Sequence, residues 1–248
     1  MTLPARVHIH EVGPREGMQI EKKPVATDDK VRLIDMLSGC GLPAIEVTSF
    51  VSPQWVPQMA DAEDVVRRMA LREDVRYTAV YLNAKGLLRA LATGRLQMEG
   101  WVLVSASQEF ARKNTGKSLE GMYEEAARQV DLLIAHQQSV DMVVVMAAFG
   151  CNYSGDVEPR AVMDAVGRGF QVAAERDRNP GEIMLADSMG WVTPDAAERV
   201  IGAVRARWPD KRIRMHLHDT RGLALASAWV ALRAGVDRFE TCIGGLGA

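Results

Sequence analysis

The chain has few cysteines, little net charge and no long apolar run, and each shortage excludes a class of protein. Its three cysteines, Cys40, Cys151 and Cys242, are widely spaced without a C-x-x-C pair, so neither a disulfide framework nor a zinc knuckle is indicated. The formal net charge of −2 argues against a nucleic-acid-binding surface. No apolar run approaches the roughly 20 residues of a membrane-spanning helix, and the first ten residues lack a signal-peptide core. We therefore expect a cytoplasmic protein with neither a nucleic-acid nor a membrane partner.

Short apolar segments typical of β-strands alternate with segments of helical periodicity along the chain. In the helical segment 27–41, Thr27 is the expected N-cap and Gly41 the expected stop, and in the segment 193–208 Thr193 and Pro194 mark the start. No linker or low-complexity tract divides the chain, so we expect one domain spanning residues 1–248. The eight predicted strands are residues 7–12, 44–49, 76–81, 101–106, 142–149, 182–188, 212–218 and 238–243.

Alternation of strands and helices is typical of a parallel sheet covered by helices. Eight strands in about 250 residues favour an α/β protein of the (β/α)₈ TIM-barrel type. A doubly wound open sheet is the alternative, but no strand is followed by G-x-G-x-x-G or G-x-x-x-x-G-K-[ST]. Only GGLGA (244–248) follows the eighth strand, so the last helix and its preceding loop are missing from the barrel pattern.

In such a barrel, functional side chains collect at the carboxyl ends of the strands and in the loops that follow. The seventh strand ends in MHLHD, where His216 and His218 are two residues apart and face the same side. Two imidazoles and one carboxylate form a divalent-metal site with open positions for a substrate, although most H-x-H pairs are simply hydrogen-bonded histidines. A second H-x-H, His8 and His10, lies early in the first strand, and we interpret that pair as structural.

The loop after the first strand supplies the other half of the candidate site. Glu16 is the expected third metal ligand, because the first and seventh strands are next-nearest neighbours around a closed barrel. Its alternative is a surface pair with Lys22 or Lys23. Arg15 keeps its proton and offers a fixed fork of donors, which suits a carboxylate or a developing enolate.

Two further acids, Glu46 on the second strand and Asp187 on the sixth, are flanked by apolar residues. An unpaired carboxylate is costly to bury. Each therefore either takes a direct part in the chemistry or forms an ion pair inside the barrel, and the sequence leaves both alternatives open.

Six segments together resemble, in chain order, the 3-hydroxy-3-methylglutaryl-CoA lyases. These enzymes belong to the barrel metallolyases that carry an R-[DE] pair after the first strand, and the resemblance runs from Arg6 to Ala248. The segments are EVGPREGMQIEKK (11–23), IEVTSFVSPQWVPQM (45–59), LNAKG (82–86), ASQEFARKN (106–114), LADSMG (185–190) and HLHDTRGLALA (216–226).

The resemblance implies a role for each matching residue. Arg15 would stabilise the enolate of the acyl-CoA product, and a pocket residue such as Asp187 would move the proton. Mg²⁺ or Mn²⁺ would be bound by Glu16, His216 and His218. The candidate catalytic residues are thus Arg15, Asp187 and Glu46, and the candidate substrate-binding residues are Gln19, Ser49, Asn83, Lys85 and Asn114.

The implied activity is cleavage of 3-hydroxy-3-methylglutaryl-CoA, or a close 3-hydroxyacyl-CoA, to acetyl-CoA and a 3-oxo acid. The partner would be a small acyl-CoA molecule, and a homo-oligomer stays open. Departures from the lyase pattern at Ile20, Asn152, Ser188 and Trp191 admit a related substrate such as citramalyl-CoA. Alternative functions are a Claisen-type synthase of the isopropylmalate and citramalate synthase group, and a non-catalytic remnant barrel.

The lyases continue past GGLG with a loop that carries a cysteine and a metal-ligating asparagine. Cys242, on the eighth strand, does not match that cysteine by position. From the resemblance we expect an incomplete chain, another segment that fills the gap, or impaired catalysis.

Overall fold

The computed structural model describes residues 3–246, so Gly247 and Ala248 of the predicted GGLGA ending lie outside the described residues. The strands are β1 His8–Glu11, β2 Ala44–Ser49, β3 Arg76–Val80, β4 Trp101–Ser105, β5 Met142–Met146, β6 Gly150–Cys151, β7 Gly155–Asp156, β8 Glu182–Ala186, β9 Arg212–His216 and β10 Arg238–Thr241. The α-helices are α1 Gly13–Gln19, α2 Thr27–Ser38, α3 Ala62–Arg68, α4 Ala84–Ala92, α5 Gln108–Thr115, α6 Leu119–Ala135, α7 Pro159–Ala174, α8 Pro194–Arg207 and α9 Ala224–Arg233.

All eight predicted strands are present, and β6 and β7 form an additional antiparallel hairpin. The sixth, seventh and eighth predicted strands are therefore β8, β9 and β10. The eight parallel strands are hydrogen-bonded in the order β3-β2-β1-β10-β9-β8-β5-β4. Strands β1 to β3 and strands β4, β5, β8, β9 and β10 each follow one another in chain order, and β1 lies beside the last strand, β10. This is the strand order of a (β/α)₈ TIM barrel, and the predicted fold class is confirmed.

The chain divides into two compact units. Among the described residues, the first unit contains 8–99 and 240–246, and the second contains 3–7 and 100–239. The boundary falls inside β10. The prediction of one domain over residues 1–248 stays a prediction.

In the first unit, helix α2 differs from its predicted ends. Thr27 is the first helical residue, not the N-cap, and α2 ends at Ser38, before Gly41. The Thr27 hydroxyl instead donates to Asp61 Oδ2 at 2.7 Å, and the buried Lys30 Nζ donates to Asp61 Oδ1 at 2.6 Å. These tertiary bonds tie α2 to the segment after β2, and they account for a threonine and a lysine at those positions.

In the second unit, β4, β5 and β8 are buried along their whole length. Apart from Ser105 and Glu182 at strand ends, their sequences are apolar, as in parallel strands covered on both faces. Helix α8 begins as predicted, because Thr193 Oγ1 accepts a hydrogen bond from Ala196 N at 3.1 Å and Pro194 is the first helical residue. Asp187 directly follows β8, and His216 is the last residue of β9.

Candidate active site

Arg15 lies in α1, directly after β1, and its guanidinium joins two carboxylates of the first unit. Its Nε donates to Glu46 Oε1 at 2.5 Å, and its Nη1 donates to Glu16 Oε2. All three side chains are largely buried. Because the planar guanidinium binds both acids at once, its orientation is fixed. For Glu46 the structure therefore shows an ion pair, and the partner is the candidate catalytic arginine.

A register shift in β2 lies beside this contact. Glu46 pairs with Thr78 of β3, whereas Thr48 pairs with Ala79, so one residue of β2 is extra between them. Such irregularities redirect side chains and are common near active sites. Here Glu46 contacts Arg15, while Thr48 Oγ1 lies 3.7 Å from Met59 Sδ.

Two predicted substrate-binding residues of the first unit carry a buried polar atom without a hydrogen-bond partner among the described residues. These atoms are Gln19 Oε1, at the end of α1, and Ser49 Oγ, at the end of β2. A buried polar group without a partner costs about 1–3 kcal/mol, and a bound ligand is one source of the missing partner. The arrangement agrees with substrate binding by Gln19 and Ser49, which stays a prediction.

The other predicted substrate-binding residues are more exposed. Asn83 is the N-cap of α4, where its Oδ1 accepts from Gly86 N at 2.9 Å. Lys85 is exposed in the first turn of α4. Asn114 is exposed near the end of α5, with Nδ2 3.8 Å from Met146 Sδ. A role in binding stays a prediction for each of them.

His216 and His218 of the second unit place their Nε2 atoms 3.2 Å apart. Their rings are nearly perpendicular, at 82°, and His218 is buried. Two ligand atoms about 2.1 Å from one octahedral ion and at right angles to each other lie about 3.0 Å apart. The spacing therefore suits adjacent positions on one divalent cation.

Asp187 is fully buried at the end of β8. Its Oδ1 accepts hydrogen bonds from Trp191 N at 2.7 Å and Val192 N at 3.0 Å, while its buried Oδ2 has no hydrogen-bond partner among the described residues. Burial raises the pKa of Asp187, against the opposing effects of these backbone N–H groups and of His218. A buried carboxyl group with a raised pKa is suited to moving a proton.

Trp191 links the turn after β8 to the hairpin of β6 and β7. Its Nε1 donates to Asn152 Oδ1 at 2.7 Å, and its ring packs on Gly150. The φ of Gly150 is +140°, and a Cβ there would lie 2.9 Å from the ring, so only glycine fits. Asn152 and Trp191, two of the departures from the lyase pattern, are thus hydrogen-bonded to each other.

The first H-x-H pair has a different environment. His8 is exposed, whereas His10 is buried, with Nε2 3.0 Å from Thr78 Oγ1. His10 Nδ1 lies 3.5 Å from Glu240 Oε1 and 3.8 Å from Glu99 Oε2. We did not expect these two acids from the sequence, because both come from distant segments. Such contacts agree with a structural role for His10.

Sequence reasoning missed one acid beside the candidate site, Glu11 at the end of β1. Its carboxylate accepts hydrogen bonds from Gly13 N, which follows β1, and from Thr241 Oγ1 and Ile243 N, at and just after the end of β10. The pKa of the nearby Cys242 is raised to about 11, mainly by burial and secondly by the negative charge of Glu11. The only signal in the sequence is an acid at the end of a strand, two residues before the glycine of EVGPRE.

Comparison with known proteins identifies the family. A family model described as HMGL-like matches residues 6–248. The chain belongs to the HMGL-like family. A Pseudomonas aeruginosa protein named 3-hydroxy-3-isohexenylglutaryl-CoA/hydroxy-methylglutaryl-CoA lyase is 39% identical over 248 residues, covering 100% of this chain and 79% of that protein. The mitochondrial hydroxymethylglutaryl-CoA lyase of Mus musculus is 40% identical over 246 residues, covering 99% of this chain and 73% of that protein.

Solved structures of HMGL-like proteins agree with the fold. The crystal structure of hydroxymethylglutaryl-CoA lyase from Pseudomonas aeruginosa has a TM-score of 0.90 and 38% identity, covering 99% of this chain and 79% of that chain. An HMG-CoA lyase from Acinetobacter baumannii, in complex with coenzyme A and 3-methylmalate, has a TM-score of 0.88 and 31% identity, covering 100% and 78%. The family resemblance drawn from the sequence is confirmed. Among residues 3–246 of this HMGL-like chain, no helix has the length and apolarity needed to cross a bilayer.

Proposed function

We propose that this protein is a divalent-metal-dependent carbon–carbon lyase that cleaves 3-hydroxy-3-methylglutaryl-CoA, or a close 3-hydroxyacyl-CoA, to acetyl-CoA and a 3-oxo acid. The observation that carries this function is the similarity of the whole chain to relatives named as such lyases. The coenzyme A complex of the Acinetobacter relative supports an acyl-CoA substrate. A cytoplasmic location and a homo-oligomeric state stay predictions.

The proposed ligands of Mg²⁺ or Mn²⁺ are Glu16, His216 and His218. A carboxylate and two imidazoles are a donor set that divalent cations accept, with positions left for substrate oxygens. The spacing of the two histidine nitrogens, 3.2 Å, supports this assignment. When bound, the ion lowers the pKa of the substrate hydroxyl and orients it.

The side chains of the protein perform the remaining steps. Asp187 accepts the proton of the tertiary hydroxyl at its buried Oδ2, and its raised pKa suits that role. The hydroxyl carbon becomes a ketone as the carbon–carbon bond breaks, and the electron pair of that bond passes to the thioester as an enolate. Arg15, held by Glu46, donates hydrogen bonds to the enolate oxygen. The proton held by Asp187 then passes to the enolate carbon, which gives acetyl-CoA and leaves Asp187 ionised again.

The first test is release of acetyl-CoA from 3-hydroxy-3-methylglutaryl-CoA by this chain with Mg²⁺ or Mn²⁺. We expect release that stops with a chelator and returns when the metal is restored. Activity unaffected by chelation would contradict the metal site. Release from citramalyl-CoA alone would change the assigned substrate, and no release from any such thioester would contradict the proposed reaction.

The chain supplies a matched control for the metal ligands. His216→Ala and His218→Ala should each lower kcat/KM by at least about 100-fold and weaken Mn²⁺ binding, measured by electron paramagnetic resonance titration. His8→Ala removes an exposed histidine from the other H-x-H pair and should change neither quantity. Equal losses in all three variants would contradict the assignment of His216 and His218.

A further inference from the structure

Glu11 connects the start of α1 to the end of β10. The carboxylate is 4% exposed, and three donors converge on it. Its Oε1 accepts from Gly13 N and Ile243 N, each at 2.8 Å, and its Oε2 accepts from Thr241 Oγ1 at 2.9 Å. A single side chain thus joins two segments about 230 residues apart in the chain.

The packing around these hydrogen bonds admits only glycine on one face of α1. A Cβ at Gly13 would lie 2.5 Å from Glu11 Oε1 and 2.8 Å from Ile243 Cγ2. A Cβ at Gly17, one helical turn later, would lie 2.6 Å from Leu246 Cβ. At these two glycines, helix α1 therefore lies directly against the residues that follow β10, chiefly the side chains of Ile243 and Leu246, with no side chain of its own between them.

The same helix carries Arg15 and Glu16. Their backbone N–H groups both donate to Val12 O, at 3.0 and 2.7 Å, and Val12 N donates to Thr241 O at 2.7 Å. The positions of the two side chains therefore follow from how the end of β1 and the start of α1 are held. An apolar residue in place of Glu11 would leave the N–H groups of the buried Gly13 and of Ile243 without their acceptor.

We propose that Glu11 is a positioning residue, which places Arg15 and Glu16 by holding α1 against residues 241–243. Its effect on turnover rests on the proposed lyase function, whereas its effect on α1 does not. Glu11 acts through hydrogen bonds and not through its charge. Glutamine in its place keeps an oxygen for Gly13 N and Ile243 N, and its amide nitrogen donates to the Thr241 hydroxyl, which rotates to accept.

The test compares Glu11→Ala and Glu11→Gln with a matched control, Asp141→Ala. Asp141 also bonds a backbone N–H and a hydroxyl, since its Oδ2 accepts from Gly100 N at 3.1 Å and from Ser139 Oγ at 2.8 Å. It lies in the second unit, before β5, and has no part in the proposed site. The measurements are amide hydrogen exchange of residues 13–19, Mn²⁺ affinity, and kcat and KM.

We expect Glu11→Ala to increase exchange in residues 13–19, to weaken Mn²⁺ binding by roughly 10- to 100-fold, and to lower kcat more than it changes KM. Glu11→Gln should stay within about threefold of the unmodified protein in kcat and Mn²⁺ affinity, since the positions of the hydrogen bonds are kept. Asp141→Ala should lower the melting temperature without changing Mn²⁺ affinity or kcat.

Two results would overturn the positioning role. One is a Glu11→Ala protein that loses stability but keeps normal exchange in 13–19 and normal Mn²⁺ affinity. The other is a Glu11→Gln protein as impaired as Glu11→Ala, which would show that the charge matters. If the unmodified protein cleaves no acyl-CoA, the proposed function fails, yet hydrogen exchange still decides the role of Glu11.

Discussion

Arg15 Nε lies 2.5 Å from Glu46 Oε1, so an acid of β2 holds the cation that follows β1. The same guanidinium donates to Glu16. In the proposed mechanism, a flexible cation at this position would have to be ordered in each catalytic cycle, whereas the two acids orient Arg15 beforehand. On that proposal, Glu46 acts through Arg15.

We predict that Arg15→Lys lowers kcat on the order of 100- to 1,000-fold. An ammonium group cannot reproduce the fork that binds Glu46 and Glu16 while also facing the enolate. Mn²⁺ affinity and the melting temperature should change little, because a positive charge remains between the two acids. Steady-state kinetics measures kcat, electron paramagnetic resonance titration measures the Mn²⁺ affinity, and thermal unfolding measures the melting temperature. A near-normal rate would remove Arg15 from the mechanism.

The coupling between Arg15 and Glu46 is measured by a double-mutant cycle. Glu46→Gln alone should lower kcat by roughly tenfold, because a neutral amide orients the guanidinium less firmly. In the Arg15→Lys background the same change should have almost no further effect, since residues that act as one unit are not additive. Full additivity in log kcat would show that Glu46 acts independently of Arg15.

Asp187→Asn distinguishes the structural role of one side-chain oxygen of Asp187 from the proposed catalytic role of the other. The amide oxygen still accepts from Trp191 N and Val192 N, so the turn after β8 should be retained. Without a proton acceptor at the other position, kcat should fall on the order of 100- to 10,000-fold. A variant with normal turnover would exclude Asp187 as the base.

The pH dependence of stability gives a second measurement on the same variant. Burial raises the pKa of Asp187 in the folded state above the usual 3.8. The folded protein therefore loses stability as the pH rises from about that value through the raised pKa, whereas asparagine does not titrate. We expect Asp187→Asn to gain melting temperature relative to the unmodified protein as the pH rises above about 3.8, and a constant difference would contradict the raised pKa.

Trp191→Phe tests whether the Asn152–Trp191 pair influences substrate choice. The change removes the Nε1–H that Asn152 accepts and keeps most of the ring on Gly150. We expect the ratio of kcat/KM for 3-hydroxy-3-methylglutaryl-CoA to that for a longer 3-alkyl analogue to shift by roughly 3- to 10-fold. Trp229→Phe, on an exposed tryptophan of α9, is the matched control. Equal ratios in both variants would show that Trp191 does not affect substrate choice.

Cys242 should react with iodoacetamide only at high pH. Its pKa of about 11 means that the thiol keeps its proton at neutral pH, so alkylation should accelerate up to about pH 11, while the exposed Cys40 reacts first. Since the folded state raises this pKa from 9.0, the contribution of Cys242 to stability is present below about pH 9 and lost as the pH rises further.

Glu11→Gln provides the internal check on Cys242. Removal of the negative charge should lower the pKa of Cys242 and speed its alkylation at pH 9, measured by mass spectrometry of the peptides. Equal alkylation rates for Cys40 and Cys242 at pH 8 would contradict the raised pKa of Cys242. An unchanged rate for Cys242 in Glu11→Gln would contradict the contribution of Glu11 to that pKa.

The sequence determined the features that depend on local pattern. Apolar periodicity located the eight parallel strands, because side chains of buried strands and helices repeat at fixed intervals. Position along those strands is also the basis for predicting a metal site at His216 and His218 and a structural role for His8 and His10. It also placed Arg15 directly after β1 and Asp187 directly after β8.

Only the tertiary structure decided which groups meet. Glu46 finds Arg15 beside a register shift that strict alternation along β2 does not foresee. Glu11 binds Thr241 and Ile243 because two distant strands lie side by side. Partners of this kind depend on strand register and on how closely backbones approach, and a local pattern of apolar and polar residues carries neither quantity.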